Sequence, residues 1–180
     1  PPRTYVENLT CCVCMEDLPV DSNKFSRMTC CGKAMHKHCS RDVQTSKMSE
    51  ALKSRCPECR QKVPTTEEEA VKQVREWVDK GKAWAQTHLA SKYQFGEGVP
   101  QSYEDAIEYY NMAVKQGDPN AMFALGDMYR QGEGVAQSSE KANELCALAA
   151  NQGHAGAQYN LGVLYANGEG VAQSYEKAFE

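Results

Sequence analysis

The sequence predicts a chain of two unlike parts: a small metal-stabilised finger, then an all-α solenoid of helix-turn-helix repeats. Eight of the nine cysteines fall between Cys11 and Cys59. Beyond them, Tyr93-x2-Gly96-x-Gly98-Val99 returns as Tyr129-x2-Gly132-x-Gly134-Val135 and as Tyr165-x2-Gly168-x-Gly170-Val171, a period of 36 residues. Charge divides at the same place. Residues 1–62 hold 11 Lys and Arg against 7 Asp and Glu, whereas residues 63–180 hold 9 against 17, within a net charge of −4.

Residues 1–10 form a flank. The finger, 11–62, is written in pairs of metal-ligand type: Cys11-x2-Cys14, Cys30-Cys31, His36-x2-Cys39 and Cys56-x2-Cys59. Four such pairs match the donor count of two closed tetrahedral zinc sites. A disulfide framework is the rival reading. No apolar signal stretch precedes these cysteines, and tight C-x2-C pairs suit a shared cation better than separate bridges. Large apolar residues are few here (Leu9, Val13, Leu18, Val20, Phe25, Val43, Leu52), too few for much of a core. Metal binding of roughly 10–16 kcal/mol per structural site would drive folding in its place. Within the finger, Pro19 to Arg27 reads as a loop with Asp21-Ser22-Asn23 as turn chemistry, His38 to about Met48 as a helix, and Ser46 to Ser54 as a polar second loop.

The order and spacing of these pairs resembles the RING finger. The resemblance implies a cross-brace: Cys11, Cys14, His36 and Cys39 hold one zinc, while Cys30, Cys31, Cys56 and Cys59 hold the other. The chain departs from the common pattern in two ways. The third and fourth ligands are adjacent, and Lys33 stands where many RINGs place a histidine, so Cys31 takes that role. Cys12 and His38 are spare and have a solvated or packing role by default. The four-Cys, one-His, three-Cys order also occurs in PHD fingers, which read histone tails. Those usually carry a Trp before the last pair, where this chain has Lys53-Ser54-Arg55, and Tyr5 and Phe25 alone make a poor methyl-lysine cage. On the RING reading, Val13, Val43 and Pro57 would form the apolar groove that docks a ubiquitin-conjugating enzyme. Arg60 would be the linchpin cation between that enzyme and ubiquitin. Each residue also has a plain structural reading: the two valines could pack together, Pro57 could shape a zinc knuckle, and Arg60 could be a solvated charge.

Metal alters the charge argument. Seven thiolates and two Zn2+ reduce the +4 of residues 1–62 to about +1, so nucleic-acid binding loses its electrostatic support. No apolar run approaches the ~20 residues that span a bilayer. Cys146 is the only cysteine beyond the finger, which fits a reducing compartment, cytoplasmic or nuclear. The opening Pro1-Pro2 suggests an excerpt of a longer chain.

Residues 83–180 carry the repeats, two full and a third cut within its second helix. Further columns keep register: Ala85, Ala121, Ala157; Leu89, Leu125, Leu161; Ala106, Ala142, Ala178; and Gly117 with Gly153. In one unit Ala121, Leu125 and Tyr129 share a helical face, and Gly126 and Gly162 permit close approach of a neighbouring helix. Gly132 and Gly134 end the first helix; a second follows from about Ser138 to Asn151. Such a unit cannot bury its face alone, so stacking is obligatory. Leu125-Gly126, Gly132-Glu133-Gly134-Val135 and Lys141-Ala142 resemble the hallmarks of the Sel-one-like repeat, a relative of the tetratricopeptide repeat. That resemblance implies an interaction scaffold without catalytic residues.

Residues 63–82 repeat the second half of a unit. Val63-Pro64 stands 36 residues before Val99-Pro100, and Gly81 before Gly117. The pattern predicts a helix over 66–80, a capping box from Thr65 and Glu68, and Val71, Val74 and Val78 packed on the first full repeat; a flexible acidic linker is the alternative. Cys146 aligns with Tyr110 and Val74 and reads as a core thiol; His154 reads as a polar turn residue. Taken together, the expectation is a RING-type ubiquitin-protein ligase whose partners are a conjugating enzyme, ubiquitin, and a protein substrate or adaptor on the repeats. A non-catalytic scaffold and a histone-tail reader are the alternatives. A metal-dependent hydrolase is disfavoured, because four-ligand sites leave no open position for water.

Overall fold

A computed structural model describes residues 25–27, 34–46, 56, 62–169 and 171–179. In the N-terminal part, β1 (Phe25–Arg27) pairs antiparallel with β2 (Ala34–His36), Phe25 opposite His36. Helix α1 (Lys37–Thr45) follows β2 directly and touches both strands. It ends earlier than the expected Met48. Thr45 Oγ1 donates to the Arg41 carbonyl at 3.0 Å and Ser46 Oγ to the Val43 carbonyl at 2.7 Å, so side-chain hydroxyls take over carbonyls that a further turn would have used.

The remaining elements are helices stacked in sequence order: α2 (Glu67–Asp79), α3 (Ala83–Phe95), α4 (Tyr103–Lys115), α5 (Pro119–Gln131), α6 (Ser139–Ala150), α7 (Ala155–Asn167) and α8 (Tyr175–Phe179). Each touches its successor, as a solenoid requires. The pairs α3/α4, α5/α6 and α7/α8 are the three units, and their turns are built alike. First helices end on Gly96, Gly132 and Gly168 in the left-handed conformation, φ 71°, 76° and 73°, which glycine adopts without a Cβ penalty. The backbone N–H groups of Ser102, Ser138 and Ser174 then donate to the carbonyls of Tyr93, Tyr129 and Tyr165 at 2.9 Å. The same serines accept from the N–H groups of Asp105, Lys141 and Lys177 through Oγ, capping each second helix.

Small residues set the helix spacing. Ala90, Ala106, Ala113 and Ala121 are fully buried around Leu125, Met128 and Tyr110. A Cβ on Gly126 would stand 3.3 Å from the Ala142 carbonyl oxygen and 3.3 Å from Leu145 Cβ, so the predicted close approach is to the second helix of the same unit. Val74, Tyr110 and Cys146 are all buried, so their column forms core in α2 and in the first two units. Burial pushes the Cys146 thiol up, and such a thiol is a poor nucleophile.

Helix α2 spans nearly the predicted 66–80, with Val71 and Val74 buried against Ala85 and Leu89. The cap is one residue later than expected. Thr66 is the N-cap and accepts from the Glu69 N–H, and Glu69 Oε2 accepts from the Thr65 N–H at 2.9 Å. Thr66 and not Thr65 falls in register with Ser102 and Ser138 at the 36-residue spacing, which decides the position. The Thr65 backbone bond holds the exposed Glu69 carboxyl below its ordinary range.

The column of Val71 and Ile107 is broken in the second unit. Asn143 occupies the position there. It is 6% exposed; its Nδ2 donates to the Glu169 carbonyl at 2.8 Å, and its Oδ1 has no hydrogen-bond partner among the described residues. An unsatisfied buried acceptor costs about 1–3 kcal/mol. Asn143→Val should therefore raise stability by about 1 kcal/mol in a denaturant titration. A lower midpoint would mean that the bond to the Glu169 carbonyl outweighs the orphaned oxygen.

Candidate functional site

Two candidate surfaces come from the sequence, and the structure reaches them unequally. In the cysteine-rich stretch, His36 is the last residue of β2 and Cys39 lies in the first turn of α1, so this pair straddles a strand-helix junction. Val43 is on α1, half-buried, four residues beyond Cys39 and so on the same helical side. Cys56 is fully buried. Cys11, Val13, Cys14, Cys30, Cys31, Pro57, Cys59 and Arg60 lie outside the described residues. Among the described residues no group of three or more His, Cys, Asp or Glu side chains forms a metal site; of the eight donors the sequence leads one to expect, only the Cys56 side chain is among them. Seven thiolates and one imidazole are chemically a zinc donor set, sufficient for two closed sites and unsuited to hard cations.

On the solenoid, Phe95, Met112, Leu148, Tyr159, Val163 and Tyr175 are large apolar side chains left exposed. Met112 and Leu148 occupy equivalent positions on α4 and α6. By contrast the recurring tyrosines are structural. Tyr93 stacks on Tyr109 at 5.8 Å and accepts from Arg75, while Lys141 lies over Tyr129 and Lys177 over Tyr165 at 4.9 and 5.5 Å. Tyr110 donates to Gln94 Oε1 at 2.9 Å, and burial pushes its hydroxyl far up.

Neither histidine of the repeats builds a catalytic group. His154, expected from the sequence as a polar turn residue, is the N-cap of α7 and is buried. Its Nδ1 accepts from the Ala157 N–H at 3.1 Å and its ring stacks on Phe123. The equivalent residue of the preceding unit, Asp118, caps α5 and also accepts from Thr87 Oγ1 at 2.6 Å. Burial, then Lys92, holds the His88 imidazole below its ordinary range.

Sequence reasoning missed two features of this surface. Gln101, Gln137 and Gln173 each donate from Nε2 to the carbonyl seven residues earlier, that of Gln94, Arg130 and Ala166, closing every turn alike. The signal was present as Gln-Ser at 36-residue spacing. The second is a nearly buried lysine, Lys92, gripped by two carboxylates; nothing but its departure from the apolar column of Met128 and Leu164 marks it in the sequence.

Comparison with known proteins bears on the repeats. The family model of the Sel1 repeat matches residues 85–118, 119–154 and 155–180. A Sel1 repeat protein from Oxalobacter formigenes superimposes with a TM-score of 0.61 at 29% identity, over 64% of this chain and 47% of that one. A protective antigen of uropathogenic Escherichia coli with an SLR fold gives 0.60 at 35% identity, over 64% of this chain and 25% of that one. Helicobacter pylori cysteine rich protein B shares the fold at 20% identity, with a TM-score of 0.51, over 63% of this chain and 84% of that one. The chain thus spans less than half the length of the first two structures. No curated protein matches it.

Proposed function

The chain belongs to the Sel1 repeat family, and on that premise we propose that it is a RING-type ubiquitin-protein ligase that holds a protein substrate or adaptor on its repeats. The observation that carries the ligase reading is the run of eight donors between Cys11 and Cys59. The placement of His36 and Cys39 at the β2–α1 junction, with Val43 on the helix that follows, supports it. Cys11, Cys14, His36 and Cys39 would hold one zinc, and Cys30, Cys31, Cys56 and Cys59 the other; the ions would supply folding energy and no open coordination position.

The proposed reaction places no covalent step on this chain. A lysine amine of the substrate attacks the thioester carbonyl of ubiquitin, and the conjugating enzyme's cysteine leaves as thiolate. The finger would only orient the loaded enzyme, an entropic contribution. Val13, Val43 and Pro57 would bind the enzyme, and Arg60 would bias the conformation of bound ubiquitin. The repeats, an all-α solenoid with Phe95, Met112 and Leu148 exposed, would supply the surface for the protein to be modified. Among the described residues no helix is long and apolar enough to cross a membrane.

The test is an autoubiquitination assay on the whole chain with a panel of conjugating enzymes, with zinc content measured for each variant. Val13→Ala and Arg60→Ala are expected to lower chain formation at least about tenfold at unchanged zinc, the size of effect seen when one interface anchor is removed. A chain that holds two zinc ions yet works with none of the enzymes would leave a binding scaffold; capture of histone-tail peptides by that same protein would make it a reader.

A further inference from the structure

The second helix of one unit and the first helix of the next carry equivalent positions 25 residues apart in sequence. At α4 and α5 these are Tyr103 and Met128, at α6 and α7 Ser139 and Leu164, and at α2 and α3 Glu67 and Lys92, which are in direct contact. Met128 and Leu164 are buried core, and Tyr103 packs on the cluster that contains Met128. Lys92 is also buried, its side chain 11% exposed, with Nζ 2.7 Å from Glu67 Oε2 and 2.7 Å from Glu97 Oε2. Burial opposes its charge, but the two carboxylates outweigh this and raise its pKa. Glu97 belongs to the same unit as Lys92. Glu67 is the first residue of α2 and comes from outside it.

The 36-residue repeat makes the three interfaces close copies, and copies of this kind invite exchange of one second helix for another, within a chain or between chains. The charge pattern discriminates. Docking α4 or α6 on α3 would bring Tyr103 or Ser139 to Lys92 and leave a buried ammonium with one carboxylate. Docking α2 on α5 would bring Glu67 to Met128 and leave a carboxylate with no cation. Taking one of two partners from a buried ammonium is disfavoured, whereas replacing the whole pair by apolar groups is often neutral; Glu67 is itself 57% exposed, so its share of the cost is the lost partner and not burial of its carboxylate. We propose that Lys92, Glu67 and Glu97 form a registry lock that assigns α2 to α3 and suppresses exchange of second helices at this interface.

The test uses the whole chain refolded from denaturant at high protein concentration, with its mass read by light scattering. Wild type is expected to return as a single species. Lys92→Met combined with Glu67→Tyr rebuilds the α4–α5 pair; it should keep its helix content but raise the fraction of exchanged dimer several-fold. The same monomer fraction in both proteins would overturn the proposal. A second readout holds even if that double variant misfolds. Glu67→Gln should speed amide exchange in α2 by about tenfold, the equivalent of losing one charge-assisted bond, with α5 to α7 unchanged. Unaltered exchange in α2 would likewise overturn it.

Discussion

Gly98→Ala is expected to destabilise the solenoid by about 2–5 kcal/mol, through two separable effects. The first is conformational. Gly98 has φ +73°, a region in which a Cβ is strained by about 1–2 kcal/mol. The second is steric: a Cβ there would stand 2.6 Å from both the carbonyl carbon and oxygen of Glu67 and 2.9 Å from its Cβ. Backbone of a helix N-terminus cannot swing aside as a side chain can, so α2 must lift from the first unit or the turn must distort. Gly81→Ala isolates the first effect, since Gly81 has φ +70° with nothing within 4 Å of its would-be Cβ. Thermal or urea unfolding of the two variants should therefore differ by about 1–3 kcal/mol, the usual range for overpacking. Equal losses would show that α2 does not rest on the Gly96-Glu97-Gly98 turn as tightly as the structure has it.

That glycine also shows how far the sequence could be read. Its recurrence as Gly134 at one period is visible without coordinates, and it predicted a helix end. What the period could not say is that the second glycine of the turn seats the previous second helix, Glu67 under Gly98 and Tyr103 under Gly134. Periodicity reports which positions are equivalent, and the contact between units is a property of stacking. The cap differs: the 36-residue period that gives a helix over 66–80 also sets Thr66, and not Thr65, against Ser102 and Ser138, so the position was legible and the capping-box pattern alone pointed one residue early. Lys92 was illegible for the opposite reason. It departs from its column, and a departure carries no meaning until Glu67 and Glu97 are seen beside it. The cysteine-rich stretch is read from its spacing alone, so its ligands and its docking residues stand on chemistry and family resemblance.

Val74→Asp combined with Val78→Asp should unfold the N-terminal end of the solenoid and cost about 4 kcal/mol or more. Val74 is fully buried in the cluster it forms with Val71, Ala85 and Leu89, and Val78 is half-buried on the same cluster beside Trp77 and Trp84. A carboxylate at Val74 would enter an apolar cluster, while Lys92 is held by Glu67 and Glu97, Arg75 donates to Tyr93 Oη and Lys80 lies over Trp77. Breaking apolar burial and leaving a buried charge unpaired are each worth several kcal/mol, and the second is the larger. The measurement is a denaturant titration followed by helical circular dichroism, with zinc content determined on the same sample. A large fall in the midpoint at unchanged zinc is the expected result, because none of the proposed ligands lies in α2. An unchanged midpoint would mean that α2 is a mere tether and that the first full unit is stable without it. Loss of zinc along with the helix would mean that finger and solenoid fold as one unit.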